Sequence, residues 1–133
     1  MGSKSRWQIY PGMPNQRTSG GPRVTLNHRK VFLLNQAAYK VLGEPAAVEL
    51  RYDEETRTIG LAARDPRILS AFPLKGKVNH TKYSYRIIHG APFCKHFGIS
   101  PKATILFTNV DMDNDGTLLL ELNTAVVVGR GFR

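Results

Sequence analysis

Apolar and polar positions follow the same order of patterns in two parts of the chain. In the first part, residues 24–35 hold two short runs rich in valine and leucine that flank the polar turn Asn-His-Arg-Lys, which predicts two strands. Residues 36–43 then have apolar side chains at helical spacing and end at Gly43, two residues before Pro45, which is typical of a helix end. The expected order is strand, turn, strand and short helix.

A hairpin follows this helix in the pattern. Within residues 48–61, the segments VELRY and RTIGL have the composition of strands, and the polar segment DEET lies between them. Pairing across this four-residue turn places Val48 opposite Leu61 and Leu50 opposite Ile59. These side chains then share one face of the predicted hairpin.

The same order of patterns returns 55 residues later, which indicates an internal repeat. This shift aligns QAAYKVLG, residues 36–43, with APFCKHFG, residues 91–98, and it matches Lys40 with Lys95. The segment RKVFLLN then aligns with SYRIIHG, and Pro101 follows the second helix. The second copy ends in ILFTNV, DMDNDG and TLLLEL, which predicts another strand, turn and strand.

The segment DMDNDG, residues 111–116, also resembles the start of an EF-hand calcium loop, because acidic side chains alternate and a glycine follows. Such a loop needs a bidentate glutamate at its twelfth position and lies between helices. The twelfth position in this chain is Leu122, Glu121 comes one residue early, and both flanks have strand composition. The pattern therefore favours an exposed hairpin turn, with a calcium site as the alternative.

Length and composition predict one soluble domain. The chain has 133 residues, 41% of them apolar, and no apolar run is long enough to cross a membrane. No secretory signal pattern is visible at the N-terminus. Cys94 is the single cysteine and cannot form an intrachain disulfide, which indicates a reducing, cytoplasmic setting.

Charge adds a candidate partner to this description. Nineteen Lys and Arg against ten Asp and Glu give a formal net charge of +9, and six of the ten acids fall in Asp53–Glu55 and Asp111–Asp115. The remaining surface is more basic than the average suggests, which favours a polyanionic partner. A soluble basic protein without such a partner is the alternative.

Domain boundaries follow from these patterns. Residues 1–22 are rich in Gly, Pro, Ser, Asn and Gln without sustained periodicity and predict a flexible basic tail. We expect a single domain over residues 23–128, followed by a C-terminal tail at 129–133. Within the domain, unit one spans 23–63, a linker spans 64–76, and unit two spans 77–128.

The segment VTLNHRKVFLLNQAAYKVLGEPAAVELRYDEETRTIGL resembles the swapped-hairpin family of the AbrB and MazE type, which binds DNA. The resemblance covers residues 23–63 and, more faintly, 77–122. It implies a mainly β fold with short helices, in which two swapped-hairpin-like units close one pseudo-symmetric small β-barrel. It also implies a nucleic-acid-binding module, with duplex DNA favoured, that acts as a transcription regulator or antitoxin-like protein. The chain departs from the family in lacking a proline within residues 32–35 and in having Phe97-Gly98 where the family has Leu-Gly.

The resemblance also implies which residues face DNA. The family's DNA-facing turn corresponds to residues 27–30 in unit one. In unit two it corresponds to His80, Thr81, Lys82 and Arg86, with Lys75 and Lys77 just upstream. Clustered Arg and Lys on turns suit this role independently, because Arg can fork onto a guanine edge and Lys can contact phosphate. A solvated strand edge is the alternative. The candidate nucleic-acid-binding residues are Arg23, Asn27, His28, Arg29, Lys30, Lys75, Lys77, His80, Lys82 and Arg86.

Signs of catalysis are few, and we expect neither an enzyme nor a cofactor. His89, Cys94 and His96 could suggest a zinc site or a nucleophile, but one thiol without a Cys-x-x-Cys pair is a poor ligand set. Two alternatives to duplex binding remain. The chain could be a protein-interaction subunit, or it could bind single-stranded nucleic acid or RNA through stacking side chains such as Trp7, Tyr83 and Tyr85. Either a monomer or a homodimer is compatible with the sequence, and no membrane partner is expected.

Overall fold

The computed structural model describes residues 21–78 and 84–128, without the side chains of Lys77, Val78 and Ser84. The predicted tails, apart from residues 21 and 22, lie outside the described residues. Within these ranges the chain is mainly β, with two antiparallel sheets and two short helices, as the sequence predicted at this coarse level. Neither helix in the described ranges is long and apolar enough to cross a bilayer.

Most of the strands and both helices are short. In chain order they are β1 (Val24–Leu26), β2 (Val31–Asn35), α1 (Gln36–Val41), β3 (Ala47–Asp53), β4 (Thr58–Arg64), β5 (Phe72–Pro73), β6 (Lys75–Val78), β7 (Ser84–His89), α2 (Ala91–Phe97), β8 (Ile105–Leu106), β9 (Val110–Met112), β10 (Leu118–Glu121) and β11 (Val126–Val127). Sheet A has the strand order β11-β8-β1-β2-β7-β6, and sheet B has the order β5-β3-β4-β10-β9.

Strands from the two predicted units are neighbours in each sheet. In sheet A, β2 and β7 are antiparallel neighbours, with Phe32 opposite Ile88. In sheet B, β4 and β10 are antiparallel neighbours, with Leu61 opposite Leu118. Each sheet therefore contains strands from both units.

The buried side chains of both sheets form one cluster. Along β2 the pattern alternates, so that Phe32 and Leu34 are fully buried while Val31, Leu33 and Asn35 are half-buried. Because successive strand residues point to opposite faces, this alternation gives sheet A an inner face towards the core and an outer face away from it. Sheet B contributes Val48, Ile59, Leu61, Leu118 and Leu120, and the helices contribute Ala38, Phe93 and Cys94.

Both predicted helices are present and end close to the predicted glycines. Helix α1 begins after Asn35, whose side chain accepts a hydrogen bond from the N–H of Ala38. Such a side chain satisfies a backbone donor that has no partner within the helix. Helix α2 ends at Gly98, whose φ of 69° lies in the left-handed region, and the N–H of Ile99 donates to the Cys94 carbonyl at 2.8 Å. This is a glycine-terminated helix end of the expected kind.

The first hairpin is present, but its predicted register is wrong by two residues. Leu50 lies opposite Leu61, whereas Val48 lies opposite Ala63 and Tyr52 opposite Ile59. The turn begins one residue later than predicted, because Asp53 ends β3. Its Oδ1 accepts hydrogen bonds from the N–H groups of residues 55 and 56, and this fixes the turn. The shift is even, so the apolar side chains keep the face that was predicted.

The second hairpin differs more from the prediction. The segment ILFTNV is not one strand: residues 105–106 form β8 in sheet A, and Val110 begins β9 in sheet B. Phe107 lies between the two strands and is buried. The turn is residues 113–117, so the first two residues of DMDNDG belong to β9. A chain that crosses between sheets within four residues has no periodic signal for sequence reasoning to detect.

Gly90 marks a close approach between the end of β7 and the core. A Cβ atom at this position would lie 2.7 Å from Cε1 of Phe32 and 3.4 Å from the Lys30 carbonyl oxygen. The first distance is shorter than real carbon–carbon contacts allow. The backbone at residue 90 can therefore pack against the Phe32 ring only because glycine has no side chain.

We predict that Gly90→Ala destabilises the fold by about 1–3 kcal/mol, since it forces the Phe32 ring out of its packing position. Urea unfolding measures this cost. Gly21→Ala serves as the control, because its Cβ would meet no atom within 4 Å. In the background of Phe32→Leu the penalty of Gly90→Ala should shrink, as expected for residues in contact. Equal penalties in the two backgrounds would contradict this packing.

Candidate nucleic-acid interface

The turn between β1 and β2, residues 27–30, is held by the side chain of Asn27. Its Oδ1 accepts hydrogen bonds from the N–H groups of Arg29 at 2.9 Å and Val31 at 3.1 Å. The Lys30 N–H donates to the Asn27 carbonyl at 2.9 Å. Asparagine commonly closes turns in this way. This bonding gives Asn27 a structural role, which leaves the neighbouring side chains to contact a partner.

The turn is also tied to the body of the protein. The N–H of Gly90 donates to the Lys30 carbonyl at 2.9 Å, and Lys30 has a φ of 66°, in the left-handed region that few residues other than glycine adopt. His28 and Arg29 are exposed at the tip, and Lys30 is half-buried. Cationic side chains therefore project from a turn whose backbone is fixed by both its own bonds and the core.

Arg23 and Arg86 lie near the far end of β2, away from the turn at residues 27–30. The Arg23 N–H donates to Asn35 Oδ1 at 2.9 Å, and the Asn35 N–H donates to the Arg23 carbonyl at 3.0 Å, so the backbone of Arg23 is fixed beside the end of β2. Arg86 pairs with Leu34 and so points to the inner face of sheet A. Its guanidinium carbon lies 4.0 Å from the centroid of the Tyr39 ring in α1.

This stacking restrains Arg86. A guanidinium over an aromatic face is attracted by the ring quadrupole. The same group also passes over Gly76 in β6, where an added Cβ would lie 3.5 Å from it. Arg86 was predicted to belong to the DNA-facing turn of unit two. The structure places it within β7 and packs it between an aromatic ring and a glycine, away from residues 27–30.

Strand β6 at the edge of sheet A carries two further candidates. Lys75 lies opposite Ile87 and is exposed, and Lys77 lies opposite Tyr85 in the same ladder. Alternate residues of a strand share a face, and the register places these two positions on the outer face of sheet A. His80 and Lys82, the candidates that follow, lie outside the described residues.

The two predicted basic turns do not lie side by side. The turn at residues 27–30 precedes Val31, which is opposite His89, whereas the connection from β6 to β7 precedes Tyr85, which is opposite Asn35. Because β2 and β7 are antiparallel, the two connections leave sheet A at opposite ends of this pair. Val31 and Tyr85, the strand residues at these two ends, are separated by four residue pairs along the ladder, about 14 Å at the usual strand rise.

Acidic side chains are confined to the other sheet and its connections. No strand of sheet A contains an Asp or a Glu, and residues 1–43 and 66–110 contain none either. Fourteen of the nineteen Lys and Arg residues fall in these two acid-free stretches. The two acidic clusters lie in and beside the hairpin turns of sheet B. The fold thus turns an uneven distribution along the sequence into one basic sheet and one mixed sheet.

Salt bridges follow the same division. Glu49 in β3 accepts from Arg51 at 2.7 Å and from Arg64 at 2.9 Å, and the hydrogen bond from Arg51 is the main reason that the pKa of Glu49 is lowered. Asp65 pairs with Arg67 at 2.7 Å. Among the described side chains, Lys75, Arg86 and the cations of the turn at residues 27–30 take part in no salt bridge. Arg29, Lys30 and Lys75 therefore have no acidic partner among the described side chains, and Arg86 is held by Tyr39 instead.

The acids of the 113–117 turn bond to the turn itself. Asp113 Oδ1 accepts from the N–H groups of Asp115 and Thr117 at 3.0 and 2.9 Å, and Gly116 has a φ of 87°. Hydrogen bonding to Asp113, and then to Thr117, lowers the pKa of Asp115. Among the described residues, no group of three or more His, Cys, Asp or Glu side chains is arranged to hold a metal ion.

The residues weighed for catalysis or zinc binding are dispersed. Cys94 is fully buried in the core, and burial raises the pKa of its thiol to about 11 against the opposing effect of the Lys30 ammonium. His89 is exposed at the end of β7, and His96 is exposed on α2 with its ring edge-on to Phe97. A thiol with a raised pKa is a weak nucleophile at neutral pH.

Comparison of the chain with protein-family models, curated proteins and solved structures found no match. The resemblance to the swapped-hairpin family therefore stays a prediction.

We predict that Asn27→Ala loosens the basic turn and costs about 1–2 kcal/mol of stability, because two backbone N–H groups lose their shared acceptor. Amide hydrogen exchange at Arg29 and Val31 should accelerate. Asn27→Asp is the matched control, since a carboxylate oxygen can accept the same bonds, and it should behave like the parent. If both variants exchange alike, Asn27 does not hold the turn.

Proposed function

We propose that this chain is a nucleic-acid-binding module that contacts duplex DNA through sheet A and its turns, as a transcription regulator or antitoxin-like protein. The observation that carries the proposal is the charge segregation in the fold. Sheet A has no acid, its described cations have no salt-bridge partner, and one of its turns presents His28 and Arg29 on a fixed backbone. Cations that displace condensed counterions gain affinity for a polyanion without base contacts.

The bonding of the turn favours tight contact. A flexible loop loses conformational entropy when a ligand orders it, and that loss subtracts from the binding free energy. The turn at residues 27–30 is already ordered by Asn27 and by its bond from Gly90. Arg29 at the tip can then contact a phosphate or fork onto a guanine edge, and Lys75 can contact phosphate from the strand edge.

We also propose that the two units are related by a pseudo-twofold axis and close a small barrel. The strand orders β1-β2-β7-β6 and β3-β4-β10-β9 support this relation, since each reads the same from both ends when strands of one unit are exchanged for those of the other. The connection between β6 and β7, with His80 and Lys82, is then the counterpart of residues 27–30. Two contact points about 14 Å apart would meet phosphates several base pairs apart along one duplex.

The proposal also covers the domain organisation and the cellular location. The units at 23–63 and 77–128 act as one domain, because their strands share both sheets. A cytoplasmic location agrees with Cys94, which is buried as a free thiol.

The test compares two double variants that remove the same charge from different sheets. Arg29→Gln with Lys75→Gln removes two cations from sheet A and its turn. Arg57→Gln with Arg67→Gln removes two exposed cations from the turn of sheet B and from residues 65–70. We expect the first pair to weaken duplex binding and to reduce the slope of log affinity against log salt by about two, since each phosphate contact contributes about 0.9. The second pair should leave the slope near that of the parent.

Other results would contradict the proposal in distinct ways. Equal losses for both double variants would mean that only net charge matters. A stronger preference for single strands, with a slope of about 0.7 per contact, would favour the single-strand alternative. Absence of salt-dependent binding by the parent would favour the protein-interaction alternative. All variants should unfold at the same denaturant concentration as the parent, so that lost folding is not read as lost contact.

A further inference from the structure

The outer face of sheet A carries a continuous row of side chains that crosses the sheet. Leu33 in β2 lies opposite Ile87 in β7 and opposite Thr25 in β1, and Thr25 lies opposite Leu106 in β8. Val126 in β11 lies opposite Leu106 and is 48% exposed. We call these five side chains the outer row. Four of them are aliphatic.

The outer row is not part of the core. None of its members belongs to the buried cluster or to the side chains that pack against it, whereas the next residues along the same strands, such as Phe32 and Ile88, do. The buried residues of the helices, among them Ala38 and Phe93, also join the core cluster. Half-buried aliphatic side chains on an acid-free sheet are unusual for a surface that meets only water.

The chain enters the fold beside this row. The side-chain amide of Asn35 donates to the Gly21 carbonyl at 3.1 Å, and Asn35 Oδ1 accepts from Arg23. Asn35 has the outer-face parity of Leu33 and lies two residues from it in β2. Gly21, the first described residue, is therefore held beside the end of β2, about 7 Å along the strand from Leu33 in the outer row.

The segment that precedes this point has suitable length and chemistry. Residues 7–16 carry no charge. Trp7, Ile9 and Met13 are separated by two and four positions, and residues at even separations share one side of an extended chain. Met13 lies eight residues before Gly21, and an extended connection of that length reaches about 26 Å. The distance from β1 to the farther edge of sheet A is three strand spacings, about 14 Å, so the connection is long enough for the segment to cross the sheet. Pro11 restricts its neighbourhood to extended conformations, which lowers the entropy lost on docking.

We infer that residues 7–13 of the same chain pack across the outer row, with Trp7, Ile9 and Met13 against Leu33, Ile87 and Leu106. An uncharged segment fits this face better than a second copy of the sheet does, because two copies face to face would bring Arg29 and Lys75 towards the same cations of the partner. The inference does not depend on nucleic-acid binding and is compatible with it, because a segment over β8, β2 and β7 leaves the edge strand β6 with Lys75, and the turn at residues 27–30, uncovered.

Trp7 is the only tryptophan in the sequence, so its fluorescence reports directly on this segment. In the full chain under native conditions, we expect a blue-shifted emission maximum and a quenching constant for acrylamide several-fold lower than in denaturant. Both values should be independent of protein concentration, as an intramolecular contact requires. An emission maximum and a quenching constant equal to those of the unfolded chain would overturn the inference.

Variants on both sides of the contact sharpen the test. Leu33→Lys should return Trp7 to the exposed emission maximum, because it places a charge in the outer row. Leu119→Lys is the matched control, since Leu119 is also half-buried on a strand, in sheet B, and lies outside the core cluster. It should leave the emission of Trp7 unchanged.

A variant within residues 7–13 controls for unfolding of the sheets. Ile9→Asp with Met13→Asp changes no residue of either sheet and should expose Trp7 while the far-ultraviolet circular dichroism stays that of the parent. If Trp7 is protected in the parent but Leu33→Lys and Leu119→Lys have the same effect on it, the segment docks elsewhere and the inference is wrong. Protection that appears only at high concentration would mean that the face accepts a second copy's segment, which also overturns the intramolecular contact.

Discussion

The antiparallel pairing of β2 with β7 is the constraint on which the rest of the structure depends. Together with the shorter pairing of β1 and β8, it joins the two predicted units in sheet A, and its register places Phe32 opposite Ile88 on the inner face. A slip of one residue would move Leu33 and Ile87 into the core and Phe32 into solvent. The pairing therefore decides which side chains fill the core and which form the outer row. It also places Arg86 where its guanidinium packs against Tyr39.

The same pairing organises the basic surface. It brings the end of β7 beside the start of β2, where Gly90 can contact both Phe32 and the Lys30 carbonyl. The turn at residues 27–30 is thereby anchored to the core rather than projecting freely. Since β2 and β7 run in opposite directions, their preceding connections leave the sheet at opposite ends. A ligand that contacts both would have to extend along the strands of sheet A, which suits a long polyanion better than a compact one.

Local signals made part of this fold predictable. The helix ends at Gly43 and Gly98 and the presence of two hairpins in sheet B follow from glycine chemistry, apolar spacing and turn composition, which act over a few residues. The hairpin register was missed because Asp53 closes the turn through its side chain, a choice that composition does not reveal. The split of ILFTNV between two sheets depends on tertiary packing around Phe107.

The candidate site was predictable to a similar degree, since the exposed turn around Arg29 and the acid-free stretches that become sheet A are visible in the sequence. The stacking of Arg86 on Tyr39, by contrast, joins residues that are distant along the chain and required the β2–β7 register.

The most direct test of sheet A as the nucleic-acid surface is a map of backbone amide chemical shifts during titration of the isotopically labelled full chain with a short DNA duplex. We predict that the amides of residues 28–30 and those of β6 shift together as duplex is added, while those of the sheet B turns at residues 54–57 and 113–117 stay in place. Shifts centred on the sheet B turns, or shifts absent from residues 28–30, would contradict it.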